Sequence, residues 1–347
     1  MPFADIIGHT APIGWLRCAI QSNKLGHAYL FVGEDAIGKR LTAVRMAQSI
    51  NCKEFREGVA PDPCGECQSC YQIDAQIHPD YLYIRPDAEG PNPQIRIERV
   101  REIEHHVVYR PLVGTRKICL IDEVDRLTIG AANALLKTLE EPPDHCLFLL
   151  ITSRPSSLLP TIISRCLVVR FSPSSPADVK TYLMKEKHCS ESEARLISCI
   201  SGGRVGEALQ IDSTEALARK DQFLALFSGS SLGSIPRLLD TAEGISKGEV
   251  QKGLNEFWII LRDILLVNLH CDPNQLMYRE DFPLLQSIAK QTRLTALLDL
   301  LDELQTLENG LNRNFNLQLG FERLLIHLRE AVSGHVFPTK EKRSLPT

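Results

Sequence analysis

Up to Phe171 the chain alternates short apolar runs with longer stretches in which apolar residues recur at helical spacing. AYLFV (28–32), DYLYIRP (80–86), KICLID (117–122), CLFLLIT (146–152) and LVVRF (167–171) are the strand candidates, and helices fall between them. This alternation predicts an α/β domain over 1–172, a parallel sheet wrapped by helices. One helix is sharply marked. In RLTIGAANALLKTLEEPP, Leu127, Ala131, Ala134, Leu135 and Leu139 recur at helical spacing, and Pro142 and Pro143 stop the helix. The cluster SPSSP, Ser172 to Pro176, predicts a hinge. Beyond it, ADVKTYLMKEK, SESEARLISCI and SGGRVGEAL predict a small helical segment over 173–212. The stretch 213–335 reads as all-helical, with a break at SGSSLGS (228–234). Residues 336–347 hold too little apolar content to pack and predict a frayed tail. No internal repeat is visible.

Composition narrows the picture modestly. With 347 residues, two or three domains and a large core are expected. A hydrophobic content of 44% and a charged content of 24% are ordinary for a globular protein, and a net charge of −4 argues against unaided coating of nucleic acid. Arg96, Arg99, Arg101, Arg110 and Arg116 are locally dense, but Glu98, Glu102 and Glu104 lie among them, so a solvated helix face is the better reading. The start, MPFADIIGHTAPIGWL, lacks a basic segment followed by an apolar core, and the greasiest stretch, FWIILRDILLVNL, is broken by Arg262 and Asp263. A cytoplasmic location is therefore expected. The eleven cysteines of such a chain predict reduced thiols and a metal rather than disulfides.

Four constellations carry chemistry. GEDAIGKRLTA follows an apolar run and opens a helix-like one, and it completes G-x-x-x-x-G-K at Gly33, Gly38 and Lys39. Such a loop makes an anion cradle from backbone N–H groups and a helix N-terminus, with the lysine reaching the β- and γ-phosphates. The next residue is normally Ser or Thr, whose hydroxyl ligates Mg²⁺; here it is Arg40, so binding of ATP with Mg²⁺ is expected to be impaired. KICLIDEVD ends an apolar run in Asp122 and Glu123, one carboxylate for Mg²⁺ and one for water, although such a pair also simply caps helices. CGECQSC sets Cys64, Cys67 and Cys70 at C-x₂-C-x₂-C spacing, and Cys52 could complete a tetrahedron. Zinc is preferred there, with an iron–sulfur cluster or no metal as alternatives. Last, Arg165 follows a short helix beginning near Pro160, and Arg204 opens a helix after two glycines. An arginine between two elements usually makes a surface ion pair. At a helix start it is unfavourable for the dipole unless it faces an anion.

HAYLFVGEDAIGKR, CGECQSC, KICLIDEVDRLTIGAANALLKTLEEPP and LLPTIISRC, in that order, resemble the clamp-loader branch of the AAA+ ATPases, in particular a subunit of bacterial DNA polymerase III that does not hydrolyse ATP. The similarity runs from about Ile6 to about Leu209 and more weakly through the last third. The resemblance implies an AAA+ domain over 1–172 with a zinc module at Cys52, Cys64, Cys67 and Cys70. A helical lid would follow at 173–212, and a collar domain at 213–335 would join a five-subunit ring. It implies as partners the ATPase subunits (gamma or tau), the delta subunit and, through the complex, the sliding clamp and primed DNA. Ser164, Arg165 and Cys166 match the family's S-R-C motif, whose arginine acts in the neighbour's ATP site. Thr152 and Arg204 fall at its two sensor positions. Motor subunits carry Lys-Thr or Lys-Ser where this chain has Lys39-Arg40, so an absent or very weak ATPase of its own is expected. Two other functions stay open: an active loader ATPase of the gamma/tau type, and an ATP-independent scaffold.

Overall fold

The computed structural model describes residues 3–54, 62–87, 93–227, 234–311 and 316–333. Most of the predicted break at 228–234, and the predicted tail, lie outside them. The chain divides into two compact units. One comprises residues 1–194 and 201–210; the other comprises 195–200 and 211–347. The segment expected as a lid over 173–212 is thus shared between them. No helix among the described residues is long and apolar enough to cross a membrane.

The first unit is built on five parallel strands: β1 (Ala28–Val32), β2 (Tyr81–Ile84), β3 (Lys117–Ile121), β4 (Cys146–Thr152) and β5 (Leu167–Arg170). Each falls inside a predicted run. Their order across the sheet is β2-β3-β4-β1-β5. The helices of this unit are α1 (Thr10–Gln21), α2 (Lys39–Asn51), α3 (Gln68–Asp74), α4 (Ile97–Val108), α5 (Ile129–Glu140), α6 (Pro160–Ile163), α7 (Pro176–Glu186), most of α8's first turns (α8, Glu191–Ile200) and α9 (Val205–Ala208). β1, β3 and β4 are buried along their whole length. Their near-continuous apolar runs reflect cover on both faces, as parallel sheets require. Tyr29 and Phe31 of β1 share a core with Leu16, Ala43, Met46 and Ala47 of α1 and α2. Ala28, Leu30 and Val32 share the opposite core with Val100, Ile103, Leu135 and Leu139 of α4 and α5. Thr128 caps α5 by accepting from the Ala131 N–H, a partner for one of the first-turn donors.

After β1 the chain turns away toward β2, whereas β4 leads to β5 on the far side of β1. This is a switch of connection direction, and the crevice it leaves at the carboxyl ends of neighbouring strands is where open α/β sheets bind ligands. Val32 and Thr152, the last residues of β1 and β4, are paired in register there.

The second unit is helical: α10 (Ser213–Phe227), α11 (Ile235–Lys247), α12 (Val250–Asn268), α13 (Phe282–Gln291), α14 (Leu294–Gly310) and α15 (Leu317–Ser333). Phe223, Phe227, Phe257 and Phe321 lie at its centre, with Leu196 of α8 in the same core. Two acids are sunk in α12. Asp263 accepts from the Met277 and Tyr278 N–H groups at 3.1 and 2.7 Å, and Glu256 accepts from the Tyr278 hydroxyl.

Candidate functional site

Gly33 leaves β1 with its N–H directed to the Thr152 carbonyl (3.3 Å), and the loop runs to Gly38, which caps α2. Gly38 lies at φ +107°, a conformation that disfavours any side chain, so the glycine is required for the chain to enter the helix at this angle. The loop, α2 and the carboxyl ends of β3 and β4 line a cleft of about 710 Å³, to which Asp122, Glu123 and Thr152 also contribute. The loop, the acidic pair and the first of the two sensor-position residues therefore converge. Lys39 is almost fully buried and folds back onto the loop, donating to the carbonyls of Gly33 and Glu34 (2.5 Å to the latter), with Asp35 at 3.8 Å. Burial lowers its pKa, partly offset by Asp35, Asp122, Asp125 and Glu34. His9 adds support from below: its Nε2 lies 2.7 Å from the Ile37 carbonyl, which can only accept, so that nitrogen carries the proton.

Arg40 settles how the metal position is furnished. Its guanidinium is held chiefly by the hydroxyl of Tyr83, with the carboxylate of Asp122 also nearby, and both raise its pKa. Tyr83, its own pKa pushed up by burial, stays protonated and donates to Asp122 Oδ2 at 3.2 Å. The other oxygen of Asp122 accepts from the Glu123 N–H at 3.1 Å. Glu123 is turned aside in a left-handed conformation and pairs with Arg126 at 2.5 Å. The nearest hydroxyl on α2, that of Thr42, is buried and bonded to the Gly38 carbonyl at 3.0 Å. A Mg²⁺ ion would find no free hydroxyl, a carboxylate already engaged on both oxygens, and a guanidinium beside it. These residues do not fit the metal.

The remaining sensor-position and arginine residues are engaged elsewhere. Thr152 donates to Asp125 (2.7 Å) and accepts from the Arg154 N–H (2.9 Å). Arg204 does not line the cleft; it pairs with Glu207 at 2.7 Å and donates to the Ser201 carbonyl. Its neighbour Gly206 reaches the loop instead, its N–H donating to the Ala36 carbonyl at 2.7 Å. A Cβ at Gly206 would stand 2.9 Å from that oxygen, so only glycine permits the approach. Arg165 also lies outside the cleft. It follows α6, pairs with Glu140 at the end of α5 (2.8 Å) and donates to the Thr161 carbonyl (2.9 Å). Tyr83, His9 and Gly206 carried no signal in spacing: a tyrosine in an apolar run reads as core, and only the second glycine of GGRVGEAL hinted at a close contact.

At the opposite end of α2 the four cysteines meet. The sulfurs of Cys52, Cys64, Cys67 and Cys70 all lie within 4.8 Å of one another, with separations of 3.5 Å (Cys52–Cys64), 3.9 Å (Cys52–Cys67) and 3.9 Å (Cys64–Cys70). Zn–S bonds of about 2.3 Å in a tetrahedron put sulfurs about 3.8 Å apart, so the group fits zinc. The Cys67 N–H points to Cys64 Sγ at 3.3 Å, a contact that orients a ligand and stabilises its charge. Burial acts to raise the Cys67 thiol, yet hydrogen bonds to Cys70 and Lys53 outweigh it and bring the thiol to about 7. The polar face of α2 ties this module down. Arg45 bonds Gln48 (2.6 Å) and Asp74 (3.0 Å), Gln48 donates to the Cys70 carbonyl (2.8 Å), and Asn51 donates to the Arg116 carbonyl (2.9 Å).

Comparison with known proteins agrees along both units. The family model "DNA polymerase III, delta subunit" matches residues 8–175, and "DNA polymerase III, delta subunit, C terminal" matches residues 215–330. DNA polymerase III subunit delta' of Bacillus subtilis is 29% identical over 326 residues, covering 90% of this chain and 93% of the relative. Subunit delta' of Pseudomonas aeruginosa is 43% identical over 141 residues, 40% of this chain and 41% of the relative. Subunit tau/gamma of Haemophilus influenzae is 35% identical over 227 residues, 65% of this chain but 31% of that longer protein. The chain thus spans less than a third of the tau/gamma relative.

Proposed function

The chain belongs to the clamp-loader family of DNA polymerase III, and we propose from that premise that it acts as the delta-prime subunit. It would sit in the cytoplasmic loader ring beside gamma or tau ATPase subunits and delta, and supply Arg165 to the neighbour's ATP site while the sliding clamp is placed on primed DNA. The carrying observation is the contrast between two arginines. Arg40 stands by Tyr83 and Asp122 where a hydrolysing site needs a hydroxyl and a metal. Arg165 has no part in that cleft and is one-third exposed, held by Glu140 and the Thr161 carbonyl. A guanidinium so held can meet two equatorial oxygens of a transferring phosphoryl group in trans.

In the assembled loader, Arg165→Ala is expected to leave zinc content and assembly intact but cut DNA- and clamp-stimulated ATP hydrolysis at least about tenfold, less than the about 10³–10⁵ of a single-site arginine finger. Arg165→Lys should rescue poorly, since an ammonium keeps the charge without the fork. Wild-type turnover with Arg165→Ala would leave the scaffold reading in place. The 35% identity to tau/gamma favours one competing reading, an active ATPase. Motor-like ATP turnover by the isolated chain would establish it.

A further inference from the structure

The cleft keeps its volume, its loop and its lysine while lacking a place for the metal, which raises the question of what it can still hold. We propose that it binds a nucleoside polyphosphate in the metal-free form, with the Arg40 guanidinium taking the place of Mg²⁺. This deepens the reading of the chain as a subunit that does not hydrolyse ATP, and rests on it. The space is sufficient: about 710 Å³ lies within the range of small-ligand sites. One wall is apolar, with Ile6, Ile7, Val205 and Leu209, and suits a base; the other is the loop, where α2 begins and directs its N-terminal dipole at an anion.

Charge decides the form of the ligand. A P-loop site ordinarily meets the phosphates with a lysine and a divalent metal held by a hydroxyl and a carboxylate. Here Lys39 and Arg40 bring two fixed positive charges, both lining the cleft. Arg40 is anchored on the Tyr83 hydroxyl, which in turn donates to Asp122, so the acid that would hold a metal positions the guanidinium instead. A magnesium-bound nucleotide would set a dication against that guanidinium, whereas the free polyphosphate offers it bidentate acceptors. Lys39 is bonded to loop carbonyls of Gly33 and Glu34, partners it can exchange for phosphate oxygens without leaving its burial. No bond is made or broken, and the ligand is retained rather than turned over.

The test is calorimetric titration of ATP and of ADP into the full chain, in EDTA and in excess Mg²⁺. Binding in EDTA is expected, weakened about tenfold when Mg²⁺ sequesters the free nucleotide, the factor associated with losing one charge-assisted contact. Arg40→Ala should lose a similar factor in EDTA, and Arg40→Thr should reverse the preference, binding better with Mg²⁺. Retained zinc in each variant reports that α2 is folded. Absence of nucleotide binding in both buffers, or wild-type binding that requires Mg²⁺, would overturn the proposal. The first result leaves the role of Arg165 untouched, since no nucleotide in this cleft is needed for it. Mg²⁺-dependent binding with turnover would sink both readings.

Discussion

Asp80 has no solvent exposure and still carries charge, because three consecutive N–H groups, of Leu112, Val113 and Gly114, close on its oxygens at 2.7–2.8 Å while Lys117 lies at 3.6 Å. Burial acts to raise its pKa, but those donors and Lys117 together hold it below the usual aspartate range. A depressed folded-state pKa contributes stability that is present above the ordinary aspartate pKa and is lost as pH falls through the lowered one. Asp80→Asn should therefore cost about 3 kcal/mol at neutral pH, leaving Lys117 buried and unpaired, and should flatten the acid limb of stability in urea titrations. Undiminished stability would mean that the three N–H groups find equal partners in the amide. Nothing in the sequence marked this residue, whose donors lie more than 30 positions away. Arg40 was visible as a departure from a motif, but its partner Tyr83 was not, for the same reason: contacts closed by the fold leave no local spacing. Glu140, which holds Arg165 from 25 positions upstream, is a third case.

At the scale of elements more was legible. Five apolar runs gave five strands within a few residues, since a strand covered on both faces needs little but apolar side chains. The buried face of α5 includes Ala131, Leu135 and Leu139 as its spacing predicts, and Ala132 besides. The order of strands, and hence the crevice beside β1, depends on long crossovers and was not readable. The cysteine module was, because C-x₂-C-x₂-C fixes three ligands locally and the end of α2 brings in Cys52. It should hold about one zinc per chain, measurable by elemental analysis after purification under reducing conditions without chelator. Cys67→Ser should release the metal and increase hydrogen exchange across α3 and the end of α2, while β1 to β5 stay protected. Uniform loss of protection would instead make the metal a requirement of the whole α/β unit.

On the scale of the molecule, the two units answer pH with opposite signs. Glu256 in α12 is raised by burial, only partly relieved by Tyr278, and Asp263 is raised likewise. Acids with raised folded-state pKa values contribute stability present below their unfolded pKa and lost as pH rises through the folded one. The helical unit should thus weaken from about pH 5 to pH 8, while the α/β unit weakens only on acidification through Asp80. Glu256→Gln, able still to accept from Tyr278, should stabilise the helical unit at pH 8 by about 1 kcal/mol and reduce that slope, which Asp263 keeps from vanishing. An unchanged slope in thermal melts followed by helical signal would assign it to Asp263 alone. Between the sites, α2 has a further consequence. Its thirteen residues span about 20 Å, with a phosphate loop at one end and, at the other, a metal knuckle clamped by Arg45, Gln48 and Asn51. The helix is moored at its far end, so the near end was released from selection for a hydroxyl after Lys39: drift at one tip of a rod costs little when the other tip is tied.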